Sequence, residues 1–171
     1  CRRRPRSLKS MEQAPLSSSY SPPHPLDLAQ TLRPLSRGAA DPTMQWDASG
    51  VWRTLPTPLG AATLHLASQR GIVTATAWGD GAEWAIAAVP ELLGSGDDCA
   101  DFDVSQNAFL HDSQRRNPGL RLLRTGLVLE MMVAAIFEQK VTGKEARRAW
   151  ATLVRANGEP APGPAPSGMR V

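Results

Sequence analysis

The sequence predicts an α+β fold, with an antiparallel sheet and its helices first and helices alone after them. Four short segments of strand character lie between residues 43 and 78, separated by the turn sequences DASG, PLG and SQRG. From residue 104 onwards the apolar residues recur with helical spacing. Short turns between strands favour antiparallel pairing, so the sheet is predicted to be a meander.

Alternation supports the strands and is clearest in ATLHLA. Leu64 and Leu66 face one way there, and Thr63 and His65 face the other, because successive side chains of a strand point to opposite sides. The predicted strands are Thr43–Trp46, Val51–Thr57, Ala61–Ala67 and Ile72–Trp78. Four tryptophans are expected to fill the core between sheet and helix. They are Trp46, Trp52, Trp78 and Trp84.

The start of the chain is predicted to be a disordered extension over residues 1–25, because a basic start is followed by Ser and Pro without an apolar period. The chain begins at Cys1, which suggests a fragment edge or an upstream over-reading, with Met11 as the alternative start. Residues 26–36 have the pattern of a short helix that Pro34 interrupts.

The remaining elements are predicted to be helices. Residues 82–93 form the first, and Pro90 should kink or split it. Later helices are expected at about 104–116, 125–139 and 143–156. The predicted organisation is a sheet domain over 26–103, the start of a helical domain over 104–158, and a truncated Pro-rich linker over 159–171.

Composition narrows the class of protein. The chain has 171 residues, of which 42% are hydrophobic and 20% charged, as in a globular domain. No apolar stretch reaches bilayer length and the start lacks a signal peptide's apolar region, so a cytoplasmic protein without membrane contact is predicted. Cys1 and Cys99 do not make a disulfide framework, which agrees with a reducing compartment.

Residues for metal binding or independent catalysis do not cluster in the sequence. His24, His65 and His111 pair with no Cys or carboxylate at metal-ligand spacing. The acidic residues between 97 and 103 lack the EF-hand spacing, so a solvated loop is predicted. Neither a phosphate-binding Gly loop nor a Gly-x-Ser-x-Gly turn is present. No metal and no cofactor is predicted.

Charge is divided unevenly along the chain. Residues 24–104 contain four basic and ten acidic residues, whereas residues 105–157 contain nine basic and four acidic ones. A basic helical half can place one face on nucleic acid, although most basic helix faces are simply solvated. In AAIFEQKVTGKEARRAW an apolar helix stops, and Thr142 with Glu145 fits the capping box of a second, basic helix.

The segment around this break resembles the helix-hairpin-helix DNA glycosylases, in particular the bacterial 3-methyladenine DNA glycosylase II type. The resemblance begins at Pro118-Gly119-Leu120-Arg121 and continues through an apolar helix with Ala135-Ile136-x-x-Gln139-x-Val141-Thr142. The preceding meander is similar to that branch's amino-terminal antiparallel domain. The resemblance covers about residues 24 to 160 and implies that the helical part is the beginning of an all-α helix-hairpin-helix domain.

The resemblance implies that the break approaches DNA through Gln139, Lys140, Thr142 and Lys144. In the family the residue after the Gln is a wedge that fills the gap left by the flipped base. Lys140 occupies that position here, where the family carries an apolar residue. Gln139 is either a DNA contact or a polar cap of the helix end, and a solvated face is preferred for Arg147 and Arg148.

The implied activity is removal of alkylated bases from double-stranded DNA by a monofunctional glycosylase in base-excision repair, acting as a monomer without a cofactor. The family's Leu-Pro-Gly-x-Gly hairpin and its catalytic Asp are absent from these residues. No catalytic residue is therefore assigned, and the 171 residues alone are expected to release no base. The alternative is a non-catalytic nucleic-acid-binding or protein-interaction module.

Overall fold

A computed structural model describes residues 14–98 and 102–171, and in this part the chain forms five β-strands, six α-helices and one short 3-10 helix. The fold is α+β, as predicted. Cys1, Cys99, Asp101 and the predicted disorder over residues 1–13 lie outside the described residues.

The five strands make one antiparallel sheet in the order β1-β5-β4-β3-β2. The four predicted strands are confirmed, with ends shifted by a few residues, because their turns set the pairing. The bounds are β1 Leu16–Tyr20, β2 Met44–Asp47, β3 Gly50–Thr57, β4 Gly60–Gln69 and β5 Ile72–Trp78.

The first strand corrects the prediction of disorder for residues 1–25. Leu16–Tyr20 pair with β5, from Leu16 opposite Ala77 to Tyr20 opposite Val73. The sequence LSSSY has neither alternation nor many apolar residues, so its own pattern does not predict a strand. Its backbone is ordered by the free edge of β5, and Ser17 Oγ donates a hydrogen bond of 3.1 Å to Thr76 Oγ1.

One face of the sheet packs against the amino-terminal helices and forms the core. These helices are α1 Leu28–Leu32, continued by the 3-10 helix Arg33–Leu35, then α2 Ala82–Ala87 and α3 Val89–Leu92. Leu64 and Leu66 are almost fully buried on this face, as their alternation predicts. Pro90 lies in the first turn of α3, where a missing N–H does no harm, and the predicted split of this helix is confirmed.

The opposite face carries an aromatic row that the sequence placed in the core. Trp52 contacts His65 in a tilted arrangement and stacks on Trp78, with ring centroids 4.2 Å and 5.6 Å apart. Trp46 lies on edge strand β2 and is 41% exposed. Only Trp84 packs against the core as predicted. The prediction failed for Trp52 and Trp78 because tryptophans on an outer sheet face can cover one another, and for Trp46 because it lies at the sheet edge.

Three further helices follow the acidic loop. They are α4 Ala108–Arg116, α5 Val128–Phe137 and α6 Gly143–Asn157. Leu127, just before α5, belongs to the sheet core, and Ala146, Trp150 and Ala151 are the buried residues of α6. The predicted domain boundary near residue 104 stays a prediction.

The Pro118-Gly119-Leu120-Arg121 segment attaches these helices to the sheet unit, by which we mean the five-stranded sheet with α1 to α3. Gly119 O accepts hydrogen bonds from Asp27 N at 2.7 Å and from Thr31 Oγ1 at 3.3 Å. A Cβ at Gly119 would come within 2.5 Å of Asp27 N, so only glycine fits this close approach. Arg121 donates from Nε to His24 Nδ1 at 3.0 Å. The segment therefore has a structural role in this chain.

The Pro-rich end packs against the sheet unit instead of forming the predicted linker. Thr54 Oγ1 donates to Arg170 O at 2.6 Å, and Arg170 N donates to Pro42 O at 2.8 Å. Met169 is only 4% exposed. Residues 159–171 fold back as a loop closed by the bridge between Pro160 and Arg170, and this folding back brings Arg170 to the sheet.

Candidate nucleic-acid interface

The break between α5 and α6 is a tight turn with a strained residue at its centre. Glu138 caps the end of α5, and the backbone N–H of Gln139 bonds to Ile136 O at 3.2 Å. Lys140 follows with φ of 57°, in the left-handed region. The helix end is thus closed by backbone groups, which leaves the side chains of Gln139 and Lys140 exposed to solvent.

The start of α6 is fixed by the predicted capping box, which is confirmed. Thr142 Oγ1 donates to Glu145 Oε2 at 2.7 Å and accepts from Glu145 N at 3.4 Å, while Thr142 N donates to Glu145 Oε2 at 2.9 Å. These bonds lower the pKa of the Glu145 carboxyl, chiefly through the backbone N–H of Thr142. The Thr142 hydroxyl is therefore engaged in the cap, whereas Lys144 projects from an exposed position of the same turn.

A loop of the sheet unit reaches the same place and contributes Arg37. The guanidinium of Arg37 lies over the Trp150 ring, 5.0 Å from its centroid, and its Nη1 is 3.4 Å from Glu138 Oε1. Asp41 holds both Arg37 and Trp150, since its carboxylate accepts hydrogen bonds from Arg37 N at 2.8 Å and from Trp150 Nε1 at 3.3 Å. The position of Arg37 is thus set by packing and by its own backbone.

Arg147 completes a group of cations that we call the cationic rim: Arg37, Lys140, Lys144 and Arg147. A Cβ built at Gly38 would lie 3.1 Å from Arg147 Cδ, and one built at Gly143 would lie 3.4 Å from its Nη2. Arg147 therefore lies between the Arg37 loop and the first turn of α6. Lys140, Lys144 and Arg147 are exposed, and exposed cations beside a helix amino terminus are suited to binding phosphate groups.

Comparison with known proteins identifies a similar fold. No known family's sequence profile matches the chain, and no curated protein matches it by sequence. The solved structure of a 3-methyladenine DNA-glycosylase from Archaeoglobus fulgidus matches 90% of this chain with a TM-score of 0.66 and 12% identity. The chain's fold is similar to that of a DNA glycosylase. The chain spans 54% of the length of that structure, and the relation is a distant structural one.

A second group of polar residues lies on the outer sheet face but does not form a nucleophile. Ser49 Oγ donates to Asp47 Oδ1 at 2.5 Å and lies 3.0 Å from His65 Nε2. Because the hydroxyl proton points to Asp47, His65 cannot be taking it as a base. Burial lowers the pKa of His65, an effect that Asp47 partly opposes. The bonds from Ser49, and then from Trp52, lower the pKa of Asp47, so the group stabilises the turn before β3.

The other candidates from the sequence also have structural partners. Asp97 Oδ2 accepts from Leu122 N at 2.9 Å, which ties the acidic loop to the segment before α5. Among the described residues no three His, Cys, Asp or Glu side chains come together as a metal site. The helices of residues 14–98 and 102–171 include none long and apolar enough to cross a membrane.

An apolar cavity of about 480 Å³ separates α5 and α6 from the sheet edge. Its walls include Val128, Leu129 and Leu153, and two of its polar side chains are already bound: Glu130 by Arg53, and Trp150 by Asp41. The cavity continues onto an exposed apolar face of α5. Sequence reasoning missed both this cavity and Arg37, because each depends on contacts between residues about 100 positions apart.

Proposed function

We propose that this chain is part of a monofunctional DNA glycosylase that removes alkylated purines from double-stranded DNA in base-excision repair. The fold likeness over 90% of the chain supports this proposal, together with the cationic rim at the turn that the resemblance assigns to DNA. We further propose that the protein acts as a monomer in the cytoplasm on nucleoid DNA, and that its chemistry needs no metal or redox cofactor.

The observation that carries the proposal is the backbone of Lys140. A non-glycine residue in the left-handed region costs about 1–2 kcal/mol, and Gly or Asn fits there better. Arg70 also has positive φ, but it lies with Gly71 in the tight β4–β5 hairpin turn, which accounts for its geometry. Lys140 lies instead in the turn that ends α5, where Gly or Asn would fit better and would carry no charge. A cation retained at this strained position, with its side chain exposed, supports a role in phosphate binding.

The proposed reaction is hydrolysis of the N-glycosidic bond. The alkylated base is flipped out of the duplex, and its positive charge makes it a good leaving group. Water then attacks the sugar carbon as the bond to the base breaks. The hairpin signature and the catalytic Asp of the resembled family are not among these residues, so we assign DNA contacts, and not base release, to this chain.

Lys140→Asn tests the proposal, because Asn tolerates positive φ but carries no charge. We expect weaker binding to methylated duplex DNA, and a slope of log K against log salt that is smaller by about 1, as for one lost phosphate contact. Arg70→Asn is the matched control, since it removes the same charge at the other non-glycine residue with positive φ among residues 14–98 and 102–171, and it should leave affinity unchanged. Fluorescence anisotropy at several salt concentrations measures both variants.

Equal losses of DNA affinity in the two variants would mean that only net charge matters, and this would contradict the proposed interface. Base release is tested separately by incubating the chain with methylated duplex DNA and counting abasic sites. We expect none. Lesion-specific release would contradict the division of roles and would turn attention to Glu138, the carboxylate nearest the turn. DNA binding that a longer chain also fails to convert into release would favour a non-catalytic module.

A further inference from the structure

The ion pair between Arg37 and Glu138 combines a rigid cation with a loosely held anion. The Arg37 side chain is 10% exposed, and it is held against Trp150, which is itself 5% exposed. The Glu138 side chain is 61% exposed and contacts Arg37 through one oxygen at 3.4 Å. A long, exposed contact of this kind contributes little to stability, so Glu138 can leave it easily.

The position of Glu138 is unfavourable for a carboxylate. It is the C-cap of α5, where the helix dipole presents its negative end. Capping and dipole effects would favour a basic or neutral residue there. The described contact of Glu138 that offsets this cost is the one with Arg37, so the two residues need to be considered together.

We propose that Arg37 binds a DNA phosphate and that Glu138 occupies its guanidinium when DNA is absent. The inference rests on the proposed function and adds to it a residue from the sheet unit and a means of restraint. Glu138 lowers the affinity for DNA because a phosphate must displace it from Arg37 and because its own charge repels the backbone. A lesion site whose other contacts hold the DNA in place overcomes this restraint more readily than undamaged duplex does.

Arginine at this position is suited to the role. Its planar guanidinium lies over an indole ring and still presents N–H groups at its edge, from which a phosphate can accept hydrogen bonds in pairs. Because packing on Trp150 already fixes the side chain, little rotational freedom is lost when a phosphate binds. Lysine would keep the charge but lose the planar group with its paired N–H donors, which gives a variant that separates the two contributions.

The experiment compares Glu138→Gln, Arg37→Gln, Arg37→Lys and the double variant, with unmodified duplex DNA as the probe in fluorescence anisotropy. We expect Glu138→Gln to raise affinity about two- to tenfold, and Arg37→Gln to lower it by a similar factor. In the Arg37→Gln background, Glu138→Gln should have a smaller effect, because the cation that it masks is gone. Arg37→Lys should bind more weakly than the unchanged chain.

Glu83→Gln, on α2, is the control, since it changes net charge by the same amount at an exposed position of another element. Equal gains in Glu83→Gln and Glu138→Gln would overturn the inference. Circular dichroism of each variant confirms that the fold is kept. If Lys140→Asn weakens binding but Glu138→Gln does not strengthen it, this inference fails and the proposed function stands. If no variant alters DNA binding, both fail.

Discussion

Arg53 of β3 and Glu130 of α5 form a buried ion pair that joins the sheet to α5. Arg53 Nη2 lies 3.0 Å from both carboxylate oxygens, and the two side chains are 3% and 7% exposed. Within the described residues Arg53 Nε has no hydrogen-bond partner. The attraction within a buried ion pair adds little to the stability of the fold, because both charges had to leave water. Removing one partner is nevertheless costly, since it leaves the other charge buried and unpaired.

Glu130→Gln should therefore destabilise the protein by about 3–5 kcal/mol, because it leaves the Arg53 charge buried without a counter-charge. Urea unfolding followed by tryptophan fluorescence measures the change. The double variant Arg53→Met with Glu130→Leu removes both charges and fills the same space, so it should recover most of the loss. A double variant as unstable as Glu130→Gln would mean that the pair itself stabilises the packing of α5.

Thr142→Ala should lower stability by about 1 kcal/mol, the usual loss when a helix N-cap is removed. The backbone N–H of Glu145 loses its hydrogen-bond acceptor, and the side-chain carboxylate of Glu145 loses one of its two hydrogen-bond donors. Thr142→Ser keeps the hydroxyl and should be nearly neutral. Thermal unfolding of the three proteins tests this. Equal stability of Thr142→Ala and the unchanged chain would show that α6 is held by the packing of Trp150 and not by its cap.

His65 should make the protein less stable in mild acid. Its pKa is lowered in the fold, so below the ordinary value of 6.5 the unfolded chain binds more protons than the folded one. Stability is therefore constant well above pH 6.5 and falls as the pH drops from there to the folded pKa. Thermal unfolding between pH 8 and 5 measures the decline.

His65→Gln should reduce this decline in stability, since no group remains at that position to take up a proton. Asp47→Asn removes the carboxylate that partly offsets the effect of burial on His65. It should therefore extend the decline to lower pH. A pH profile that neither substitution alters would assign the acid sensitivity to other groups.

The exposed face of α5 should make the chain associate as its concentration rises. Val128, Leu129, Met132 and Ile136 are between 54% and 73% exposed, and they follow one another on one side of the helix. Leu129→Glu should reduce association measured by sedimentation velocity, at little cost in stability. Leu59→Glu changes a residue of similar exposure in the β3–β4 turn and should leave association unchanged. If both substitutions reduced association equally, the cause would be the added charge and not the exposed face of α5.

The sequence predicted best those elements whose signal is local. The strands β2 to β5 follow from alternation and from short turns, the split helix follows from Pro90, and the start of α6 follows from Thr142 and Glu145. Each signal lies within a few residues of the structure that it determines. The turn between α5 and α6 was located in the same way.

The elements that the sequence missed depend on distant partners. β1 is a strand because β5 offers it an edge, and the Pro-rich end is ordered because Thr54 of β3 donates a hydrogen bond to the Arg170 carbonyl. Arg37 reaches the candidate interface only through Trp150 and Glu138, which lie more than 100 residues further along the chain. No pattern within a short window carries such information, so these contacts require the folded structure.

The position of β1 at the edge of the sheet has a consequence for how the protein is made. β1 leaves the ribosome before the other four strands, and its partner β5 follows more than 50 residues later. Since β2 to β5 are joined by short turns, they can assemble while β1 waits unpaired. Until β1 docks, the backbone of β5 is open to the same strand of a neighbouring nascent chain. Synthesis of many chains on one messenger RNA should therefore favour domain-swapped molecules, in which β1 of one chain pairs with β5 of another. Less frequent initiation of translation should give fewer of them.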